Sequence, residues 1–176
     1  MLSFGQLGRY RLSNIKKNAG FSLLETTVAI SILVSAITGP LWLASQGIGS
    51  ASKARNNIIA ANLAQEGLEL IKNIRLNNLN DGKSWTNGLG LCGLANGCRI
   101  DAKNLNINNC SAHCAPLKFD DVLKLYNYES GQDSVFSRII TTQDINKDEI
   151  KIISSVKWQD KFGGHTFNLE TSMFNW

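Results

Sequence analysis

The sequence predicts an α+β protein. A long N-terminal helix, with its apolar half projecting, packs by its second half on a small antiparallel β-sheet head that carries a cysteine-containing loop. Three observations predict it. Residues 21–44 form an apolar run with one charge, residues 59–74 place apolar side chains at helical spacing, and residues 122–174 alternate apolar and polar side chains in four short stretches. At 176 residues the chain has room for one compact domain and one appendage.

Composition narrows the classes. Hydrophobic residues at 43% and charged residues at 18% exclude a wholly disordered chain. Two prolines and 15 glycines exclude collagen-like and proline-rich fibres, and two histidines leave little room for a multi-histidine metal enzyme. The net charge of +4 is confined to one end: Arg9, Arg11, Lys16 and Lys17 lie in the first 20 positions, which hold no acid. The remainder carries 14 basic and 14 acidic side chains, so it offers no basic stripe for nucleic acid.

The first element is the run Phe21–Ala44, FSLLETTVAISILVSAITGPLWLA. About 20 apolar residues suffice to cross a bilayer as a helix. The basic cluster Arg9–Lys17 precedes it, which places that end in the cytoplasm and everything after Lys53 outside. Trp42 suits an interfacial anchor at the outer end. A cleaved secretory signal and an uncleaved signal anchor compete with this reading. The run is longer than a signal core, and no A-x-A site closes it.

Glu25 argues against both rivals. An ionised acid inside hydrocarbon costs several kcal/mol and points to function. The apolar segment offers it no cation. Cleavage directly before Phe21 would create one, a free α-amino group at a helix N-terminus, where the helix dipole disfavours positive charge. A carboxylate from a neighbouring copy would relieve both groups.

The string Lys16-Lys17-Asn18-Ala19-Gly20-Phe21-Ser22-Leu23-Leu24-Glu25 closely resembles the cleavage and methylation site of type IV prepilins and type II secretion pseudopilins. The resemblance implies a basic leader removed after Gly20 by a membrane-embedded prepilin peptidase, methylation of Phe21, and assembly into a helical filament. In that filament Glu25 would pair with the amine of Phe21 in an adjacent subunit. Weaker echoes of minor pilins and minor pseudopilins lie in Ala64-Gln65-Glu66-Gly67-Leu68-Glu69 and in the tail residues Val156, Trp158, Gly163, Gly164, Asn175 and Trp176. Residues 77–133 show no such likeness.

Beyond the span the helix turns amphipathic. Ile59, Ala60, Leu63, Ala64, Gly67, Leu68, Leu70, Ile71 and Ile74 share one arc, while Asn62, Gln65, Glu66, Glu69, Lys72 and Asn73 share the other. Gly39, Pro40, Gly47 and Gly49 lie between the two halves. Pro40 removes a donor and clashes with the preceding turn, and each glycine costs roughly 1 kcal/mol relative to alanine, so a kink or unwound stretch is expected at 39–49. The segment is expected to be helical in the membrane and to extend in part on assembly. A continuous helix over 21–76 would be about 84 Å long.

Residues 77–118 hold nine asparagines and five glycines, which reads as an irregular loop. Cys92, Cys98, Cys110 and Cys114 fall inside it, on the side where disulfides persist. Two bridges are expected, and the local pairing Cys92–Cys98 with Cys110–Cys114 is one of three connectivities. From residue 119 a meander follows, with strands expected at Val122–Tyr128, Ser134–Thr142, Glu149–Trp158 and His165–Phe174, and turns at 129–133, 143–148 and 159–164.

Other candidates carry less. Asp144-x-Asn146-x-Asp148 has the opening rhythm of a calcium loop, but Glu149 stands where the glycine belongs and Ser155 where the closing glutamate belongs. The cysteine spacing with His113 is not that of a zinc ribbon. No Walker A or G-x-S-x-G string is present. His113 and His165 read as surface histidines, and Trp85, Trp158 and Trp176 as packing residues. The expectation is a structural protein without catalysis, cofactor or metal.

The reading is therefore a leader over residues 1–20, a transmembrane and filament-core helix over 21–50, and an extracytoplasmic head over 51–176. The head divides into a helix at 51–76, the cysteine loop at 77–118 and the meander at 119–176. The resemblance implies a subunit, minor by the likeness of its tail, of a type IV pilus-like filament. It also implies a single-pass form in a bacterial or archaeal-type membrane before assembly and a surface or periplasmic filament after it. Its implied partners are prepilin peptidase, other pilin or pseudopilin subunits, an inner-membrane assembly platform and the lipid bilayer. A type II secretion pseudopilin is the alternative within the class. An uncleaved single-span anchored binding domain is the alternative outside it.

Overall fold

The computed structural model describes residues 20–111, 114–161 and 163–175. Two compact units emerge, Met1–Ile48 and Gly49–Trp176. One helix, α1 (Leu23–Asn80), contributes to both. The rest of the second unit is a 3-10 helix (Leu89–Gly93) and eight strands: β1 (Cys98–Ile100), β2 (Ile107–Asn109), β3 (Lys118–Asp120), β4 (Leu125–Asn127), β5 (Gln132–Asp133), β6 (Phe136–Asn146), β7 (Glu149–Asp160) and β8 (Gly163–Phe174). A long apolar helix with antiparallel sheets is an α+β arrangement.

In the second unit the amphipathic face of α1 is buried as its spacing predicts. Ala60, Leu63, Ala64, Gly67, Leu68, Leu70, Ile71 and Ile74 are closed off from solvent, whereas Ile58 is exposed and Ile59 half-buried. They meet a five-stranded sheet of order β2-β1-β6-β7-β8. β7 sends Ile150, Ile152, Ser154, Val156 and Trp158 inward by its period of two. One cluster gathers Ile71, Ile74, Ile100, Ile140 and Ile152, and a second gathers Ala60, Leu63, Leu117, Phe136, Val156 and Trp158. Trp85 and Trp158 are core residues, as expected of them.

Gly67 sets the distance between helix and sheet. A β-carbon there would collide with Ser154 Oγ and lie 3.1 Å from Arg138 Cδ. Arg138, fully buried on β6, then ties the layers together. Its Nη1 donates to Leu63 O at 3.0 Å and to Glu66 Oε2 at 2.6 Å, and its Nη2 donates to Ile100 O at 3.1 Å. The helical wheel assigns Glu66 to the solvent arc. The structure corrects this, because Glu66 turns in to neutralise the buried cation.

The sequence misjudged several boundaries. α1 ends at Asn80 rather than 76, because buried Asn78 extends the ordered turn by donating to Trp85 O and Asn87 O. The loop 77–118 is not wholly irregular. Cys98 and Ile100 are buried on β1, which pairs with β2 and meets β6 at Ile140. Gly97, at φ +65°, allows this approach; a β-carbon would stand 2.7 Å from Ile140 O.

Val122–Tyr128 is not the first strand of the meander. Asp120 Oδ1 accepts the Val122 and Leu123 N–H groups (2.9 and 3.0 Å), which turns residues 121–124 and leaves only Leu125–Asn127 as β4. β4 belongs to a separate sheet of order β4-β3-β5, and β5 falls inside the expected turn 129–133. The remaining three strands do form the antiparallel meander β6-β7-β8, longer than expected and joined by tighter turns.

The disulfides are Cys92–Cys98 and Cys110–Cys114, the local pairing among the three possible. The first bridges the 3-10 helix to the start of β1, and all four cysteines are buried.

Candidate functional site

The Gly20–Phe21 junction and the first half of α1 make the candidate site. Gly20, Phe21 and Ser22 lie outside regular structure and the helix begins at Leu23. The first turn is closed by Thr26 N donating to Ser22 O at 3.1 Å. Phe21 is 76% exposed. The Gly20–Phe21 peptide bond precedes the helix and is exposed, as a protease site needs to be. Arg9, Arg11, Lys16 and Lys17 of the expected leader, together with His113 and Trp176, lie outside the described residues.

Leu23, Leu24, Val28, Ile30, Ile32, Leu33, Val34, Ile37, Leu41, Trp42 and Leu43 are all exposed. This helix is long and apolar enough to cross a membrane, with a mean hydropathy of 1.8 over its best window, none of which is buried. The stretch from Leu23 to Ile48 measures about 39 Å at 1.5 Å per residue, against about 30 Å of hydrocarbon.

Within this stretch five hydroxyls bond to their own helix. Thr26 donates to Leu23 O, Thr27 to Leu24 O, Ser31 to Thr27 O, Ser35 to Ser31 O, and Thr38 to Ser35 O, at 2.8–3.5 Å. Such back-bonding removes the cost of carrying a hydroxyl into an apolar medium. Glu25, in the first turn of α1, has no such recourse. Among the described residues its carboxylate meets no donor, and it is exposed. Its position suits the positive end of the helix dipole, which is worth less than the cost of placing a carboxylate in hydrocarbon.

Gly39 and Pro40 lie inside α1, and the segment 39–49 is helical throughout. The single chain holds no unwound stretch there. Pro40 deletes one hydrogen bond, but unwinding would expose several more, and no contact repays that loss: a β-carbon at Gly39 or Gly47 would meet nothing within 4 Å.

The remaining sequence candidates are scattered through the head. Asn146 Oδ1 accepts the Asp148 N–H at 2.9 Å in the β6–β7 turn, and Asp148 O accepts from Asn175 N at 2.8 Å. Those atoms close a hairpin. His165 is half-buried, stacks on Trp158 with ring centres 5.3 Å apart, and places Nε2 3.1 Å from Asp160 Oδ1. It is a packed histidine rather than the surface one expected. Arg138 and Glu66 were missed. The available signal was an arginine between Phe136 and Ile140 on the apolar face of a strand.

No protein-family model, curated protein or solved structure matches the chain.

Proposed function

We propose that the chain is a prepilin-like structural subunit, inserted in a membrane by residues 21–50, cleaved after Gly20, methylated at Phe21 and built into a filament through its N-terminal helix. The observation that carries the reading is the unpartnered carboxylate of Glu25 in the first turn of an exposed apolar helix whose Thr26, Thr27, Ser31, Ser35 and Thr38 hydroxyls bond to their own backbone. A charge left in that state asks for a cation from outside the chain. The α-amino group released at Phe21 in a neighbouring subunit is such a cation, four residues from its own glutamate and attached to the same greasy segment. Pairing amine with acid between copies neutralises both inside the filament core.

The head supports the same reading. The amphipathic half of α1 is clamped to the sheet by Arg138 and Gly67 contacts, so force on the helix is transmitted to a disulfide-stapled body. Prepilin peptidase, other subunits and an assembly platform are the partners this function requires, with the head outside the cytoplasm.

The test is Glu25→Ala expressed in cells that carry a prepilin peptidase and an assembly system. The variant is processed like the parent and stays in the membrane fraction, absent from sheared filaments. Incorporation at the parental level would remove the pairing role.

A further inference from the structure

Asn109-Cys110-Ser111 is the one Asn-x-Ser/Thr string in the sequence. That spacing is the acceptor signal for N-linked glycan transfer: the asparagine supplies the nitrogen, and the hydroxyl two residues on is what the transferase reads. A lone string of this kind arises by chance, so its place in the fold decides its worth. Asn109 is exposed and ends β2, a three-residue strand at the rim of the five-stranded sheet whose neighbour in that sheet is β1. Ser111 is exposed in the bend that follows. Between them Cys110 is buried and bridged to Cys114. The bridge anchors the string while both residues that the chemistry needs stay in solvent.

The state of the amide agrees with this placement. An amide nitrogen shares its lone pair with its carbonyl and is a poor nucleophile, so an enzyme must grip the whole side chain to use it. A side chain already held by the fold is closed to that. Nδ2 of Asn78 donates to Asn87 O, that of Asn104 to Glu129 Oε1, that of Asn127 to Ser130 O and that of Asn146 to Glu149 Oε2. None of these four has a serine or threonine two residues on. The side chains of Asn109 and Ser111 make no hydrogen bond among the described residues. The asparagine with the hydroxyl at the right spacing is thus also one whose amide the fold leaves uncommitted.

We propose that Asn109 is an N-glycosylation site whose donor is a glycan carried on a polyprenyl phosphate. In the transfer, Nδ2 attacks the anomeric carbon of the first sugar. The C1–N bond forms, and the C1–O bond to phosphate breaks, its electron pair leaving with the polyprenyl phosphate. One proton passes from Nδ2 to a base of the transferase, and nothing is oxidised or reduced. The proposal rests on the reading above that puts the head outside the cytoplasm, the side on which its two disulfides persist. One consequence falls on the fold: a bulky, solvated group at the last residue of β2 covers that edge of the sheet against strand addition.

The test is the mass of tryptic peptide 104–118 from the full chain made in its own cells, reduced and fragmented so that the modified residue is read directly. The expected result is a glycan increment on Asn109, with Asn104, Asn106 and Asn108 bare. Asn109→Gln and Ser111→Ala each abolish the increment, and Ser111→Thr, which restores the hydroxyl, retains it. The 110–114 bridge, read on a digest without reduction, stays intact in all three variants and shows that they fold. A bare Asn109, an increment on another residue, or an increment that survives Ser111→Ala would overturn the proposal. The N-terminus is read on the same protein. A chain cut before Phe21 but bare at Asn109 removes the modification alone, and a glycosylated chain with Met1 intact removes the filament reading alone.

Discussion

The Arg138 guanidinium, sealed in the middle of the head, lies 2.6 Å from Glu66 Oε2, and this contact couples β6 to α1. A guanidinium placed in a core needs an anion as well as carbonyl acceptors, and Glu66 is the carboxylate at hand. Glu66 is one-third exposed, so the pair sits at the border of the core, with the cation on the dry side.

Removing the cation and removing the anion should therefore differ. Arg138→Ala is expected to cost about 3–5 kcal/mol, since it empties a packed, fully buried site. Glu66→Gln removes the counter-charge of the sealed guanidinium but keeps a hydrogen-bond acceptor and the packing, and costs less. The double variant Arg138→Met with Glu66→Leu recovers most of the loss. Denaturant titration of the full chain in detergent, followed by tryptophan fluorescence, measures all three.

Gly67→Ala should destabilise the head by about 1–3 kcal/mol through overpacking. The added carbon collides with Ser154 Oγ. Ser154→Ala in the same chain removes that oxygen, and it should return at least half of the lost stability in the same titration.

The two disulfides should be separable. Cys92 and Cys98 close a loop of six residues in sequence separation, and opening it by Cys92→Ser with Cys98→Ser costs about 2–2.5 kcal/mol from chain entropy alone. Both thiols are also buried, so the measured loss is larger than that figure. Peptide mapping without reduction should recover the 92–98 and 110–114 pairs and no crossed pair.

The β3–β4 turn should loosen in acid. The Leu123 N–H, then the Ser130 hydroxyl, hold the Asp120 carboxyl below its ordinary value of 3.8. A depressed carboxylate contributes fully above the unfolded value and loses its contribution as pH falls through the folded one. Protection of the Val122 and Leu123 amides against hydrogen exchange, corrected for intrinsic rates, should hold above about pH 4 and fall below it. Asp120→Asn, which can still accept at the turn, should flatten that dependence.

These residues also show what the sequence could convey. The buried arc of α1 was legible because helical spacing and burial report the same periodicity, and β6–β8 were legible because strict alternation has few alternative explanations. The edge of the head was not. β1 owes its place to Cys98, Ile100 and the positive φ of Gly97, a combination that reads as loop composition until Ile140 is known to lie against it. The stretch Val122–Tyr128 reads as a strand, yet the Asp120 side chain captures its first amides. The candidate site stood in the sequence almost whole, as one acid in an apolar run. The self-bonded hydroxyls that isolate that acid required coordinates.

A helix break at Gly39 and Pro40 is proposed for the assembled state only, since the single chain is helical there. Pro40→Ala should leave processing unchanged and stiffen the segment 39–49. In a filament reconstruction the parent should show extended density within 39–49, where the variant shows continuous helix. A parent helix unbroken through that segment would remove the assembly-linked melting.

The most direct measurement is the mass of the N-terminal peptide of protein recovered from cells that contain a prepilin peptidase. The expected result is a chain that begins at Phe21 and carries one additional methyl group on its α-amine, with Gly20→Val blocking the change. An intact Met1, or a terminus beyond residue 44, would contradict it.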